Sequence, residues 1–81
     1  MVLYVGNMFF GLTEDQLKEV FESYGHVDSV KIVRDRETGR SRGFGFVEMS
    51  NDDEAQLALN ELNGKEVGGR NIIVNHATKQ D

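Results

Sequence analysis

The sequence contains no cysteine and no proline, and basic residues are in short supply. Without cysteine, a disulfide-stapled secreted module, a thiolate zinc site and a cysteine nucleophile are all excluded. With no proline and only scattered glycines, nothing reads as a disordered linker or tail. Long apolar runs are missing as well. None approaches the roughly 20 residues that span a bilayer, so no membrane contact is expected. Met1 to Asn7 lacks the basic stretch and apolar core of a secretory signal, so an intracellular protein is expected. Nine Lys and Arg against fourteen Asp and Glu leave a net charge of −5. That sum points away from nucleic acid, because counterion release from phosphates favours basic partners. Only a segregated charge distribution would reverse the inference. Eighty-one residues support one domain and exclude a two-domain enzyme with a cleft between its halves.

The elements can be read in order. Leu3-Tyr4-Val5 is a short β-rich run that breaks at Gly6-Asn7. Thr13 and Gln16 have the spacing of a capping box, with Leu12 and Leu17 placed as its hydrophobic staple. Leu17, Val20, Phe21 and Tyr24 then form one helix face, and Gly25 is predicted to end the helix as a left-handed cap. Val27 to Arg34 is a second strand, with Val30 and Ile32 on one face and Lys31 and Val33 on the other. Asp35 to Gly39 is a turn, and Arg42 to Met49 is a third strand that pairs back as a hairpin. Asn51 to Glu54 reads as a second capping box, followed by Ala55, Ala58, Leu59 and Leu62 on one face. Asn63-Gly64 closes this helix, Gly68-Gly69 turns, and Asn71 to Asn75 is the fourth strand. The order βαββαβ predicts an α+β, ferredoxin-like sandwich. Two helices would cover one face of a four-stranded antiparallel sheet and leave the other bare.

The third strand carries most of the functional signal. Phe44 and Phe46 point to one face, and Val47 and Met49 to the other. Both faces are apolar, yet two helices can cover only one. An isolated Phe-x-Phe is more often core. Here Arg42 and Glu48 share the parity of the phenylalanines, which favours exposure. Tyr4 lies between the inward Leu3 and Val5, so it points outward too. Three aromatics on an open sheet make a stacking platform, worth about 1–3 kcal/mol per stacked base.

Charge is segregated in the required sense. Lys31, Arg34, Arg36, Arg40 and Arg42, against Asp35 and Glu37, make the second hairpin +3. The first helix is −3 and the second −4. A basic hairpin can bind phosphate locally despite a negative total.

Arg42-Gly43-Phe44-Gly45-Phe46-Val47-Glu48-Met49 resembles the longer signature of the RNA recognition motif at seven of its eight positions, the variable one included. The departure is Met49, where the family usually has Phe or Tyr; it faces inward and affects packing. Leu3-Tyr4-Val5-Gly6-Asn7-Met8 resembles the shorter signature. The chain is similar to the single-motif RNA-binding proteins of bacteria. The resemblance implies one domain over residues 1–78 with a tail at 79–81. It implies that Tyr4 and Phe46 stack on bases, Phe44 packs between sugars and Arg42 meets phosphate. It implies base-edge contacts from Asn75 and the backbone near His76. Lys31, Arg40 and Arg70 are further polar candidates. Asn7 either contacts a nucleotide or closes an Asx turn.

Phe10 is expected to tuck under the loop before the first helix, and Phe9 to remain at the sheet edge. His26, after a helix-ending glycine, can complement the helix dipole. His26 and His76 lack metal-pair spacing, and Gly43-x-Gly45 opens no helix, so neither a metal nor a nucleotide cofactor is expected. The leading expectation is a monomeric module for single-stranded RNA, with single-stranded DNA as an alternative ligand. The acidic helix face is open to a protein partner. A protein-interaction variant of the same fold is the competing reading, and such variants lose or cover the sheet aromatics. A small enzyme of this topology would need clustered acids, bases or nucleophiles, and the acids here are spread over helices. The expected location is cytoplasmic for a bacterial protein and nuclear for a domain cut from a eukaryotic one.

Overall fold

The structure, a computed structural model, describes residues 1–77. Thr78 and the expected tail at 79–81 lie outside the described residues. The elements run β1 (Val2–Gly6), α1 (Glu14–Glu22), β2 (Ser29–Arg34), β3 (Ser41–Glu48), α2 (Asp52–Leu62), β4 (Glu66–Val67), β5 (Arg70–Asn71) and β6 (Ile73–His76). The main sheet has the order β2-β3-β1-β6 with every neighbour antiparallel. The predicted two-layer sandwich is what forms, with α1 against β2 and α2 against β6.

Its core follows from the two periodicities. Leu3 and Val5, Val47 and Met49, Ile32, and Ile72 and Val74 turn one face of the sheet inward, all nearly or fully buried. Leu17 and Phe21 from α1 and Ala55, Ala58 and Leu62 from α2 close over them. Met49 is fully buried, as its inward parity requires. The small Ala55 and Ala58 let α2 come close to the sheet. Thr13 and Gln16 form the full capping box: Thr13 Oγ1 accepts from Gln16 N–H at 3.2 Å, and Gln16 Oε1 accepts from Thr13 N–H at 3.0 Å.

Several local expectations are corrected. The first helix ends at Glu22 with Ser23 as its cap, and Gly25 is not left-handed. Gly25 instead leaves room for the Glu54 side chain, which packs where its Cβ would stand. The second capping box is only half formed. Asn51 Oδ1 accepts from Glu54 N–H, but the Glu54 carboxylate accepts from His26 N–H at 3.1 Å across the α1–β2 link. His26 lies past the helix end and its ring faces Asp28 at 3.2 Å. Strand β2 starts at Ser29, and Val27 is buried in the link before it. The expected last strand is split. Val67 and Arg70 pair around Gly68 and Gly69 in a small hairpin, and β6 begins only at Ile73.

That hairpin and its approach also hold the edge of the sheet. Gly64 N–H donates to Ile72 C=O at 2.7 Å, and Ile72 N–H to Lys65 C=O at 3.0 Å. Asn63 Oδ1 accepts from the part-buried Val74 N–H at 3.0 Å. The segment after α2 thus satisfies both backbone groups of Ile72 and the outward N–H of Val74 in β6. An unsatisfied buried donor costs about 1–3 kcal/mol. Asn63→Ala is therefore expected to lower stability by about 1–2 kcal/mol in urea denaturation. An unchanged midpoint would show that water serves Val74 equally well.

Candidate nucleic-acid interface

Strand pairing places four of the predicted residues in one row. Lys31 is opposite Phe46, Phe46 opposite Tyr4, and Tyr4 opposite Asn75. The row crosses all four strands on the face away from the helices. Tyr4, Phe44 and Phe46 form a triangle, with centroid separations of 6.0, 6.0 and 6.4 Å. The Phe44 and Phe46 rings stand edge to face at 89°, a favoured aromatic geometry. The three side chains hold each other yet are only half-buried, so ring surface stays open to solvent.

Two glycines shape this surface. A Cβ on Gly6 would lie 2.6 Å from Tyr4 Oη, so the Tyr4 ring lies across Gly6 along its own strand. Gly43 has φ +81° inside β3, where the pairing with β2 shifts register between Ile32 and Arg34. Such a bulge re-aims neighbouring side chains. Gly43 C=O also accepts from Met8 N–H at 3.0 Å, which ties the β1–α1 loop to β3. Beyond it, the exposed Arg42 sets its guanidinium 6.0 Å from the centre of the Phe44 ring.

Other candidates are placed differently. Asn7, at φ +54°, makes no Asx turn. Its amide donates to Asn71 C=O at 2.8 Å, and its Oδ1 accepts from Arg70 Nη2 at 2.7 Å. Asn7 and Arg70 are thus each other's partners, joining the end of β1 to β5. His76 pairs opposite Leu3 and shares the parity of the buried Val74, so its side chain leaves the sheet on the helix side. Its backbone alone remains near Asn75. Arg40 lies on the exposed turn before β3, away from the row. Arg34 is spent on Glu14 at 3.3 Å, an exposed ion pair of little energetic weight. Asp35 accepts backbone N–H bonds from Glu37 at 2.8 Å and Thr38 at 3.1 Å, and these hold its carboxyl below the usual carboxylate range.

Sequence reasoning missed Ile73. It is 46% exposed, pairs opposite Gly6 and shares the parity of Asn75, so it adds apolar surface to the open face. The signal was available in the alternation of Ile72, Ile73 and Val74. The two loop phenylalanines are exchanged relative to expectation. Phe9 packs against the core and over Gly68, whereas Phe10 is 67% exposed. Among the described residues no group of acids and histidines could hold a metal, and no helix is long and apolar enough to cross a membrane.

Comparison with known proteins gives this face a family. The RNA recognition motif matches residues 3–73, and the chain belongs to that family. It is 48% identical over 81 residues to the putative RNA-binding protein RbpB of the cyanobacterium Nostoc sp., covering 100% of this chain and 79% of that one. It is 49% identical over 78 residues to glycine-rich RNA-binding protein 4, mitochondrial, of Arabidopsis thaliana, covering 96% of this chain. The chain spans 57% of that plant protein and only 18% of the probable RNA-binding protein 23 of Homo sapiens. Among solved structures, the crystal structure of RNA binding protein PG1 superposes with a TM-score of 0.95 at 44% identity, covering 100% of this chain and 98% of that one. The Rna15 RRM with bound RNA (GU) superposes with a TM-score of 0.86 at 30% identity, covering 99% and 85%. The names are those of RNA-binding proteins, and none of them is the name of an enzyme.

The close fit of Tyr4 on Gly6 makes a specific prediction. Gly6→Ala should push the Tyr4 ring off its strand while the buried core keeps the fold. In NMR spectra, the ring-current shifts of the Phe44 and Phe46 protons should change and the Phe21 signals should not. Unchanged shifts at all three rings would mean that the Cβ is accommodated without moving Tyr4.

Proposed function

We propose that the chain binds single-stranded RNA across the open face of its main sheet. The observation that carries this reading is the row Lys31, Phe46, Tyr4 and Asn75, two stacking rings flanked by a cation and an amide. Tyr4 and Phe46 take successive bases, Phe44 packs between their sugars, and Asn75 reads a base edge. Arg42 holds a phosphate beside the Phe44 ring, and Arg40 adds positive charge on the hairpin. The Rna15 domain, of the same fold and family, was solved with RNA bound. That precedent supports the reading without assigning individual contacts.

A duplex fits this face poorly. Its bases are already stacked and unavailable to the rings. An isolated domain with two or three stacking contacts is expected to bind at about micromolar Kd. We therefore expect one sequence to bind more tightly as single-stranded RNA than as duplex RNA at matched salt. The single-stranded DNA counterpart tests dependence on the 2′-OH. Equal or tighter duplex binding would move the interface off the sheet.

Tyr4→Ala and Phe46→Ala should each weaken binding by about 1–3 kcal/mol with the fold intact. A folded double variant with unchanged affinity would reject the aromatic face. Replacing Arg40 and Arg42 by glutamine should flatten the dependence of log K on log salt, by about 0.7 for each phosphate that the variant no longer neutralises. Parallel salt dependences for both proteins would place the phosphate-binding groups elsewhere.

A further inference from the structure

Among the described residues, two serine or threonine hydroxyls have an arginine within two positions on both sides. Ser41 lies between Arg40 and Arg42, and Thr38 between Arg36 and Arg40. The structure separates the two. Ser41 is buried, and its Oγ accepts from Gly43 N–H at 3.1 Å beside the β3 bulge. Thr38 is exposed, on the turn from Asp35 to Arg40. That turn contains no apolar side chain and is closed by its own bonds. Gly39 N–H donates to Asp35 C=O at 2.8 Å, and Asp35 N–H to Arg40 C=O at 2.8 Å. With so little buried, it can open toward an enzyme without disturbing the core.

The surroundings of the Thr38 hydroxyl carry both signs of charge. Its Oγ1 accepts from Arg40 N–H at 3.3 Å, and Thr38 N–H donates to Asp35 Oδ1 at 3.1 Å. The N–H groups of Glu37 and Thr38 hold the Asp35 carboxyl low, and the Thr38 hydroxyl lowers it further, so that hydroxyl lies beside the carboxylate. On its other side Thr38 lines an open cleft together with Arg34, Arg40 and Arg42. Arg34 is paired with Glu14, whereas Arg40 and Arg42 have no ion pair among the described residues. Two uncommitted guanidinium groups therefore share the space into which Thr38 opens.

We propose that Thr38 is a phosphorylation site, and that a phosphate on it competes with RNA for Arg40 and Arg42. A protein kinase that selects arginine around its target hydroxyl supplies the terminal phosphoryl group of a nucleoside triphosphate. Thr38 Oγ1 attacks that phosphorus and forms the new O–P bond. The bond to the bridging oxygen breaks, the nucleoside diphosphate leaves with its electron pair, and the hydroxyl proton passes to the kinase's base. The phosphate is repelled by the Asp35 carboxylate and turns to the arginines, which bind phosphate oxygens in forked pairs. The hairpin charge falls from +3 to about +1 at pH 7. The competition rests on the reading of the sheet and hairpin as an RNA-binding surface, and the test separates the two.

The folded chain is first incubated with such a kinase, Mg²⁺ and ATP, and the phosphate is mapped by mass spectrometry. Thr38 should be modified and Ser41 should not, and Thr38→Val should carry no phosphate on the hairpin. An unmodified Thr38, under conditions that modify a basic control peptide, overturns the site, and so does a preference for Ser41. Chains made with phosphothreonine at position 38 are then compared with unmodified ones, in the wild type and with Arg40 and Arg42 both replaced by glutamine. Each is titrated with a pool of short single-stranded RNA of randomised sequence over a range of salt. In the wild type the phosphate should weaken binding at least about fivefold at low salt, and flatten the salt dependence by about 0.7 for each RNA phosphate released. In the glutamine background the loss should stay below about twofold, because the groups competed for are gone. Equal losses in both backgrounds overturn the competition, since the phosphate would then act through the turn or by general repulsion. Unchanged wild-type affinity also overturns it and leaves the RNA reading standing. An unmodified wild type that binds no RNA defeats the RNA reading, and the competition falls with it.

Discussion

In the central strand pair each side chain has two places to go, the helix side or the open side, and a slip of one residue exchanges them all. Leu3, Val5 and Val47 need the helix side, and with Met49 they form the floor of the core. Meeting that need leaves Tyr4 opposite Phe46 on the other side. The same constraint passes outward through the ladder, setting Lys31 against Phe46 and Asn75 against Tyr4. The open row is therefore specified by the core behind it. Nothing on the open face has to supply its own register, and its residues are left to meet a ligand.

The layer arrangement also resolves the conflict between a net charge of −5 and a phosphate-bearing ligand. The acids of α1 and α2 sit mostly on the outer faces of the helices. The helices pack on the face of the sheet opposite the open row. Screening at physiological ionic strength acts over about 8 Å. The helix acids are therefore separated from a strand on the open face by the core and the sheet, and screening weakens their effect across that distance. Arg42 stands beside the open-face Phe44 ring, so the local sign is positive there.

Legibility followed the range of the physics involved. The alternation of Arg42, Phe44, Phe46 and Glu48 against Val47 and Met49 is a property of one strand, and it identified the open face directly. The Thr13–Gln16 box closes over three residues and was equally readable. The second box was misread because Glu54 had a competing partner, His26 N–H, 28 residues away in sequence. Gly25 was misread for the same reason: it is a glycine to admit Glu54, with no need for a left-handed backbone.

By itself the sequence determined the βαββαβ order of the main sheet and its two helices, the buried stripe of each and the parity that puts Tyr4, Phe44 and Phe46 on one side. These depend on periods of 2.0 and 3.6 residues that repeat within a single element. Tertiary structure alone decided which of Phe9 and Phe10 is packed, because Gly68 lies 59 positions from Phe9 and no local pattern ranks the two rings. It alone joined Asn7 to Arg70 across 63 positions, turning two apparently independent polar candidates into one bridge. It also aligned single residues of four strands into a row. Parity tells which face a side chain takes. Only the pairing of distant strands, set by how the core closes, tells which side chains stand next to each other.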